Sequence, residues 1–404
     1  VAAPAAAVLA LALVLAPAAG CGDGVRGPAL SIPGASRPKL LYTPSEEPTG
    51  LDGLTYLRDH LQEIEAGPFQ GITVDVGLGD TPWSDIPYTR AEFDREVELL
   101  RSIPFVNLTD NFQMFNVRTG GVDWFDDQAF GVVIGNARVA AQVVRDAGLR
   151  GLFFDVEQYN DPVWSFPGPD ETTTFAGYEV QARRRGFELM TALLEIVPDL
   201  TIIATVSFSE VFRSVCVEGV PLEEDRYRLL PAFLDGMFEA RATARVPALI
   251  VDGFLGSYAA TDPRAFPLFR ELIQGNWEGA EARWYPGIAS YRFGTGSITW
   301  DDQPALRCSD GVRSTLTRDM PAAFGVMIDF DTLLGMRFHL EPAEFELNFF
   351  TPERLAATLS AALANAERYV YLWSATMDWI GVSDQPRPPP EYVRAVAAAR
   401  AATR

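Results

Sequence analysis

The segment richest in chemical potential is Gly151-Leu152-Phe153-Phe154-Asp155-Val156-Glu157-Gln158-Tyr159. An apolar run of this kind forms a strand, and side chains alternate along a strand. Asp155 and Glu157 therefore face one way while Phe154 and Val156 face the other. Two carboxylates about 7 Å apart along one strand are costly to enclose unless they are paired or useful. Like charges at close range hold a proton on one of them, leaving a protonated acid beside an ionised partner. That division of labour is what carboxylate acid–base chemistry at a glycosidic bond needs. The bland reading of the same pair is a salt bridge to an arginine of the fold. A two-carboxylate route would take its second group from another strand. Glu239, closing the apolar run Leu234–Glu239, is the first candidate, with Asp252 and Asp329 behind it.

Aromatic residues accompany these acids. Trp83, Trp124, Trp164, Trp373, Tyr159 and Tyr258 fall within or shortly after expected strand ends. Flat aromatic faces bury the apolar side of a sugar ring, while amides and carboxylates such as Asn111, Asn116 and Asp252 bond its hydroxyls. The alternative is that large aromatics pack loops onto the scaffold. For any one tryptophan that is the better expectation; for the group, at least two are expected to touch ligand.

Composition narrows the chemistry further. The chain of 404 residues carries 33 basic and 54 acidic side chains, a net charge of −21, with two histidines and a single lysine, Lys39. Phosphate binding relies on clustered cations, so no nucleic-acid partner is expected. Two histidines cannot supply the imidazoles of the usual zinc hydrolase or a serine triad. One lysine leaves little room for Schiff-base chemistry. No cofactor and no metal ligand set is expected, although an all-oxygen site drawn from Asp75, Asp155, Glu157 and Asp329 is conceivable for a hard cation.

These side chains must be positioned by regular elements. Short β-rich segments recur at Lys39–Tyr42, Gly71–Val76, Phe105–Thr109, Gly151–Glu157, Thr201–Ser207, Leu234–Glu239, either Trp284–Tyr291 or Phe324–Phe330, and Tyr369–Trp373. Helical patterns with apolar residues at intervals of three and four lie between them at Leu51–Ala66, Arg90–Ser102, Ile134–Ala147, Gly177–Ile196, Pro263–Gln274 and Pro352–Ala366. Alternating strands and helices predict an α/β fold with a parallel sheet, and eight units predict a (β/α)8 TIM barrel with extended βα loops. An open doubly wound sheet is the runner-up, but Thr43-Pro44-Ser45-Glu46-Glu47-Pro48 after the first strand is no Gly-rich phosphate turn. In a barrel, Asp155 and Glu157 would stand at the carboxyl end of the fourth strand, where active sites lie. Lys39, at the start of the first strand, would lie at the opposite end.

The first twenty residues are almost wholly Ala, Leu, Val and Pro and end in Ala18-Ala19-Gly20-Cys21. This resembles the lipobox of bacterial lipoproteins, which implies cleavage before Cys21 and lipidation of its thiol. Domain organisation then reads as a signal peptide (1–20), a lipidated cysteine with a flexible tether (21–38) and one barrel (39–404). Cys216 and Cys308 remain as an even pair, and a disulfide between them is expected.

The Asp-x-Glu at the end of a fourth strand, followed by Tyr, is similar to the chitinase-type family 18 glycoside hydrolases. That resemblance implies Glu157 as the acid and Asp155 as its partner; Phe153 stands where the family has an earlier aspartate. Phe154–Tyr159 (Phe-Asp-x-Glu-Gln-Tyr) and Trp124–Asp127 (Trp-Phe-Asp-Asp) also resemble glycosidase-like barrel lipoproteins of environmental bacteria. The resemblance implies a carbohydrate substrate and a lipid-anchored place in the cell envelope, at the outer membrane or cell surface. A rival from another class is a non-catalytic glycan-binding surface lipoprotein on the same scaffold.

Overall fold

The computed structural model describes residues 37–44, 47–117, 122–158, 162–166, 172–274, 290–291, 298–299, 309, 312, 315–316, 320–329 and 340–402. Eight parallel strands run through them: β1 (Lys39–Pro44), β2 (Gly71–Val74), β3 (Phe112–Asn116), β4 (Gly151–Asp155), β5 (Thr201–Ala204), β6 (Leu249–Asp252), β9 (Ala323–Met327) and β10 (Tyr369–Ser374). Between β6 and β9 lies a small antiparallel pair, β7 (Ser290–Tyr291) and β8 (Ile298–Thr299). The hydrogen-bonded order is β6-β5-β4-β3-β2-β1-β10-β9. β6 then meets β9 through the bridge Asp252–Ala322, where the Asp252 N–H donates to the Pro321 carbonyl at 3.0 Å. The sheet thus closes on itself, and with its surrounding helices it is a (β/α)8 TIM barrel.

Strand alternation sorts the apolar residues into two layers. Leu41, Phe112, Met114, Phe153, Ile203, Val251, Ala323, Tyr369 and Tyr371 pack against one another inside the barrel. Their neighbours, among them Ile72, Val74, Phe115, Leu152, Phe154, Ile202 and Ile250, join the layer beneath the helices. Phe154 and Val156 belong to this outer layer, as the alternation around Asp155 requires. Local signals fix the helices. In Asp127–Ala147, the Asp126 carboxylate accepts from the Gln128 and Ala129 N–H groups, and Gly148 ends the helix at φ 70°.

Two expected strands are corrected. Phe105–Thr109 is a loop, because the Glu65 carboxylate gathers the N–H groups of Val106, Asn107 and Leu108 at 2.7–3.1 Å and leaves none for a ladder. The third strand is Phe112–Asn116, whose polar Gln113 and Asn116 disguise it. Leu234–Glu239 lies inside the helix Leu230–Ala244. Its Gly236 serves a helix crossing: a Cβ there would stand 2.7 Å from the Phe187 nitrogen, and one at Gly186 2.8 Å from the Phe233 carbonyl carbon. The sixth strand is instead Leu249–Asp252. Of the two candidates for the seventh barrel strand, Phe324–Phe330 is the one that forms, as β9.

Residues 1–36, with the leader, Cys21 and most of the tether, lie outside the described residues, as do Tyr159, Cys308 and His339. Cys216 is fully buried. Among the described residues no helix is long and apolar enough to cross a membrane.

Candidate functional site

The carboxyl end of β4 carries the two acids that the sequence singles out first. Asp155 is the last residue of β4 and is buried, on the parity of Phe153 and therefore facing the barrel interior. Its Oδ1 accepts from the Thr205 hydroxyl at 3.0 Å and from the Glu157 N–H at 3.1 Å. Thr205 Oγ1 in turn accepts the Val156 N–H at 3.2 Å. The chain beyond β4 is thereby folded back over its own aspartate, which fixes Asp155 and leaves the Glu157 side chain half-buried at the mouth.

A pair of tyrosines lies beneath these acids. Tyr371, inside the barrel on β10, donates its hydroxyl to the Gly253 carbonyl at 2.6 Å. Tyr258, from the loop after β6, meets Tyr371 edge to face. Burial pushes both hydroxyls well above their ordinary value, and the charges of Glu157 and Asp155 add to that rise. The two carboxylates and two tyrosines thus share one electrostatic environment. Gly325 on β9 makes the tyrosine pair possible, since a Cβ there would collide with the Tyr258 ring and stand 2.7 Å from Tyr371 Cζ. Trp373, half-buried two residues beyond Tyr371, stacks on Tyr258 with ring centroids 6.5 Å apart and planes at 15°. Trp373 and Tyr258 are the expected aromatics that do reach the mouth of the barrel.

Other expected site residues are placed elsewhere. Glu239 sits on an outer helix, exposed and paired with Arg183 at 3.0 Å, because its segment is helical and not a strand. Trp124 and Trp164 are buried with Trp83 in a cluster with Phe130, Phe154 and Phe233, with ring centroids 5.2–6.4 Å apart. They anchor loops beneath the helices: Trp164 Nε1 donates to the Val156 carbonyl at 2.8 Å and Trp124 Nε1 to the Val163 carbonyl at 3.0 Å. Asn111 precedes β3 at the amino-terminal end, its Oδ1 accepting the Ile72 N–H at 3.1 Å and its Nδ2 donating to the Leu108 carbonyl at 2.9 Å. It is a strand-end clamp and no ligand contact. Lys39 lies at that same end, paired with Asp110, as expected for the first residue of β1.

The two reserve acids are enclosed as well. Asp252 is 1% exposed, accepts from the Ser207 hydroxyl and from the Phe254 N–H at 3.0 Å, and is pushed by burial up to about 6. It secures the loops after β5 and β6 and does not reach the mouth, so it is removed from the ligand contacts. Asp329 is fully buried, and its Oδ2 accepts from Ser374, from the Ala375 and Thr376 N–H groups and from the Thr376 hydroxyl at 2.6–3.1 Å. Asp75 is similarly engaged by three N–H groups and by Gln113 Nε2 at 2.7–3.0 Å. Asp75, Asp155 and Asp329 are thus each engaged by donors of their own neighbourhood. Among the described residues no three His, Cys, Asp or Glu side chains gather as a metal-ion site would require.

Thr205 and Tyr371 are the residues that sequence reasoning passes over. Both were within reach of it: counting inward parity along Thr201–Ser207 and Tyr369–Trp373 places 205 and 371 on the interior face.

No family model and no curated protein matches the chain. Among solved structures it is similar to an exo-β-1,4-mannosidase from Opitutaceae bacterium strain TAV5, at 14% identity over 91% of this chain and with a TM-score of 0.46. The chain spans 59% of that mannosidase. It is also similar to a GH5-4 broad specificity endoglucanase from an uncultured bacterium, at 9% identity over 90% of this chain and 94% of that one, TM-score 0.49. A third similar structure is the catalytic core of xylanase A, at 10% identity, 90% and 99% coverage and TM-score 0.44. The fold assignment rests on the parallel strand order and its closure, not on these distant likenesses.

Proposed function

We propose that this barrel is a glycoside hydrolase acting on an oligo- or polysaccharide, with Glu157 as the acid and Asp155 as its ionised partner. The observation that carries this reading is the arrangement at the end of β4. Asp155 is enclosed and held by Thr205 and the Glu157 N–H, while the Glu157 carboxyl is left half-buried at the mouth. The Tyr258–Trp373 stack offers a flat apolar face of the kind a sugar ring covers. With Glu239 on the outer surface and Asp252 and Asp329 engaged in loop packing, Asp155 is the favoured partner for Glu157. In that role Glu157 protonates the glycosidic oxygen as the bond breaks, and Asp155 orients the group that attacks the anomeric carbon.

One observation favours the rival reading of a glycan-binding barrel without turnover: Asp329, two residues beyond β9, is fully buried with its Oδ2 held by four donors, so no exposed carboxylate stands there to serve as a nucleophile. Glu157→Gln on a panel of oligosaccharides separates the two. The hydrolase reading expects turnover to fall by about 10²–10⁴-fold with binding retained. Absence of turnover by the parent on every glycan it binds would establish the rival. We further propose export of the chain, lipidation at Cys21, a tether to residue 38, a Cys216–Cys308 disulfide and residence in the bacterial cell envelope. The supporting features are the Ala-rich leader ending in Ala18-Ala19-Gly20-Cys21 and the even cysteine pair that remains.

A further inference from the structure

Beside Asp155 in the sheet stands Asn116, its register partner at the end of β3. Asn116 shares the inward parity of Phe112 and Met114 and is 2% exposed. Its Nδ2 donates to Asp80 Oδ1 at 3.2 Å. Its Oδ1 is buried without a hydrogen-bond donor among the described residues. Chemistry sets the orientation of the amide, because the reverse placement would oppose the Asn116 carbonyl to the Asp80 carboxylate, acceptor against acceptor.

The neighbouring loop is built to hold this arrangement. The Asn116 N–H donates to the Gly79 carbonyl at 3.0 Å, and the Gly79 N–H donates to Asp75 Oδ1 at 2.8 Å. A Cβ on Gly79 would lie 2.9 Å from Met114 Cβ, so bare backbone is what lets Asp80 approach Asn116. An acceptor buried without a donor is destabilising, and one held beside a candidate acid calls for an explanation.

Resting on the glycosidase reading, we propose that Asn116, oriented by Asp80, is the specificity-determining acceptor of the cleft. Its Oδ1 takes a hydroxyl or N–H donor from a neutral or amino-bearing sugar seated over Asp155. Asp80 and Asp155 are already engaged by protein donors, so the selection falls on Asn116 Oδ1: a sugar that places a hydroxyl or N–H there complements it, and one that places an acceptor there is refused.

The test is isothermal titration of the full-length parent, Asn116→Leu and Glu157→Gln with cellotetraose, mannotetraose, xylotetraose, chitotetraose, its deacetylated form and tetragalacturonate. The parent binds at least one of the six. Asn116→Leu, similar in volume but without the acceptor, weakens that binding about tenfold or more, while its melting temperature holds or rises because the donorless carbonyl is gone. Asn116→Ser gives the same loss if the leucine variant does not fold. Binding by the folded Asn116 variant within about twofold of the parent overturns the assignment. Loss of turnover in Glu157→Gln then leaves the glycosidase reading intact. A parent that binds none of the six sugars overturns both.

Discussion

Asp252 offers a quantitative test of which acids are structural. It is enclosed at the end of β6, bonded to the Ser207 hydroxyl and the Phe254 N–H, with Glu210 acting on it from the short helix Phe208–Phe212 after β5. Burial raises it from its ordinary 3.8 to about 6. The unfolded chain releases this proton near pH 3.8, and the folded chain holds it until about pH 6. Between those values the folded state binds the extra proton, so its contribution to stability is full below the lower value and is lost as pH rises through the upper one. A gap of about two pH units corresponds to about 3 kcal/mol. Asp252→Asn keeps the shape and a carbonyl for the Phe254 N–H but does not titrate. The assay is urea unfolding of parent and variant, followed by tryptophan fluorescence across roughly pH 4 to 8. Many other carboxylates titrate in this range, so the useful quantity is the difference between the two proteins. The variant should gain on the parent by about 3 kcal/mol between the low and high ends. A difference that stays flat, or that runs the other way, would refute the buried, proton-holding Asp252. Turnover should survive the substitution, since Asp252 touches loops and not the mouth.

Two further outcomes separate scaffold from site. Trp83→Ala, at the centre of the buried aromatic cluster, should cost about 3–5 kcal/mol in stability, whereas Trp373→Ala should weaken sugar binding about fivefold, or about 1 kcal/mol, with a smaller change in the unfolding midpoint. Equal stability loss in the two variants, with unchanged binding, would remove Trp373 from the site. Cys21→Ser should abolish incorporation of labelled fatty acid and shift the protein from the membrane to the soluble fraction. In the same preparations, a peptide linking Cys216 to Cys308 should appear only without reductant, and two free thiols at those positions would exclude the bridge.

Periodicity carried much of the architecture. The strands β1, β2, β4, β5 and β10 and most helices are legible as alternation of two against alternation of three and four. The orientation of Asp155 into the barrel, with Phe154 and Val156 outside, follows from parity alone. Where local and tertiary influences diverged, the sequence misled. Phe105–Thr109 has the composition of a strand, but Glu65, distant in sequence, captures its N–H groups. Leu234–Glu239 reads as a strand, yet its glycine serves a close helix crossing that only the partner helix explains.

The site divides along the same line. Residue type and parity determined that carboxylates at the end of β4 are the groups available for chemistry, because a strand's side-chain direction is a local property. Which aromatics face ligand and which acids are already engaged was decided by the tertiary structure. Trp124 and Trp164 follow strands and Trp373 lies within one, but packing against Trp83, Phe130 and Phe233 buries the first two while β10 leaves the third at the mouth. Asp252 ends β6 and Asp329 lies two residues beyond β9, but donors from neighbouring loops enclose them. Burial and hydrogen-bond occupancy are sums over neighbours remote in sequence, and those sums exist only once the barrel has closed.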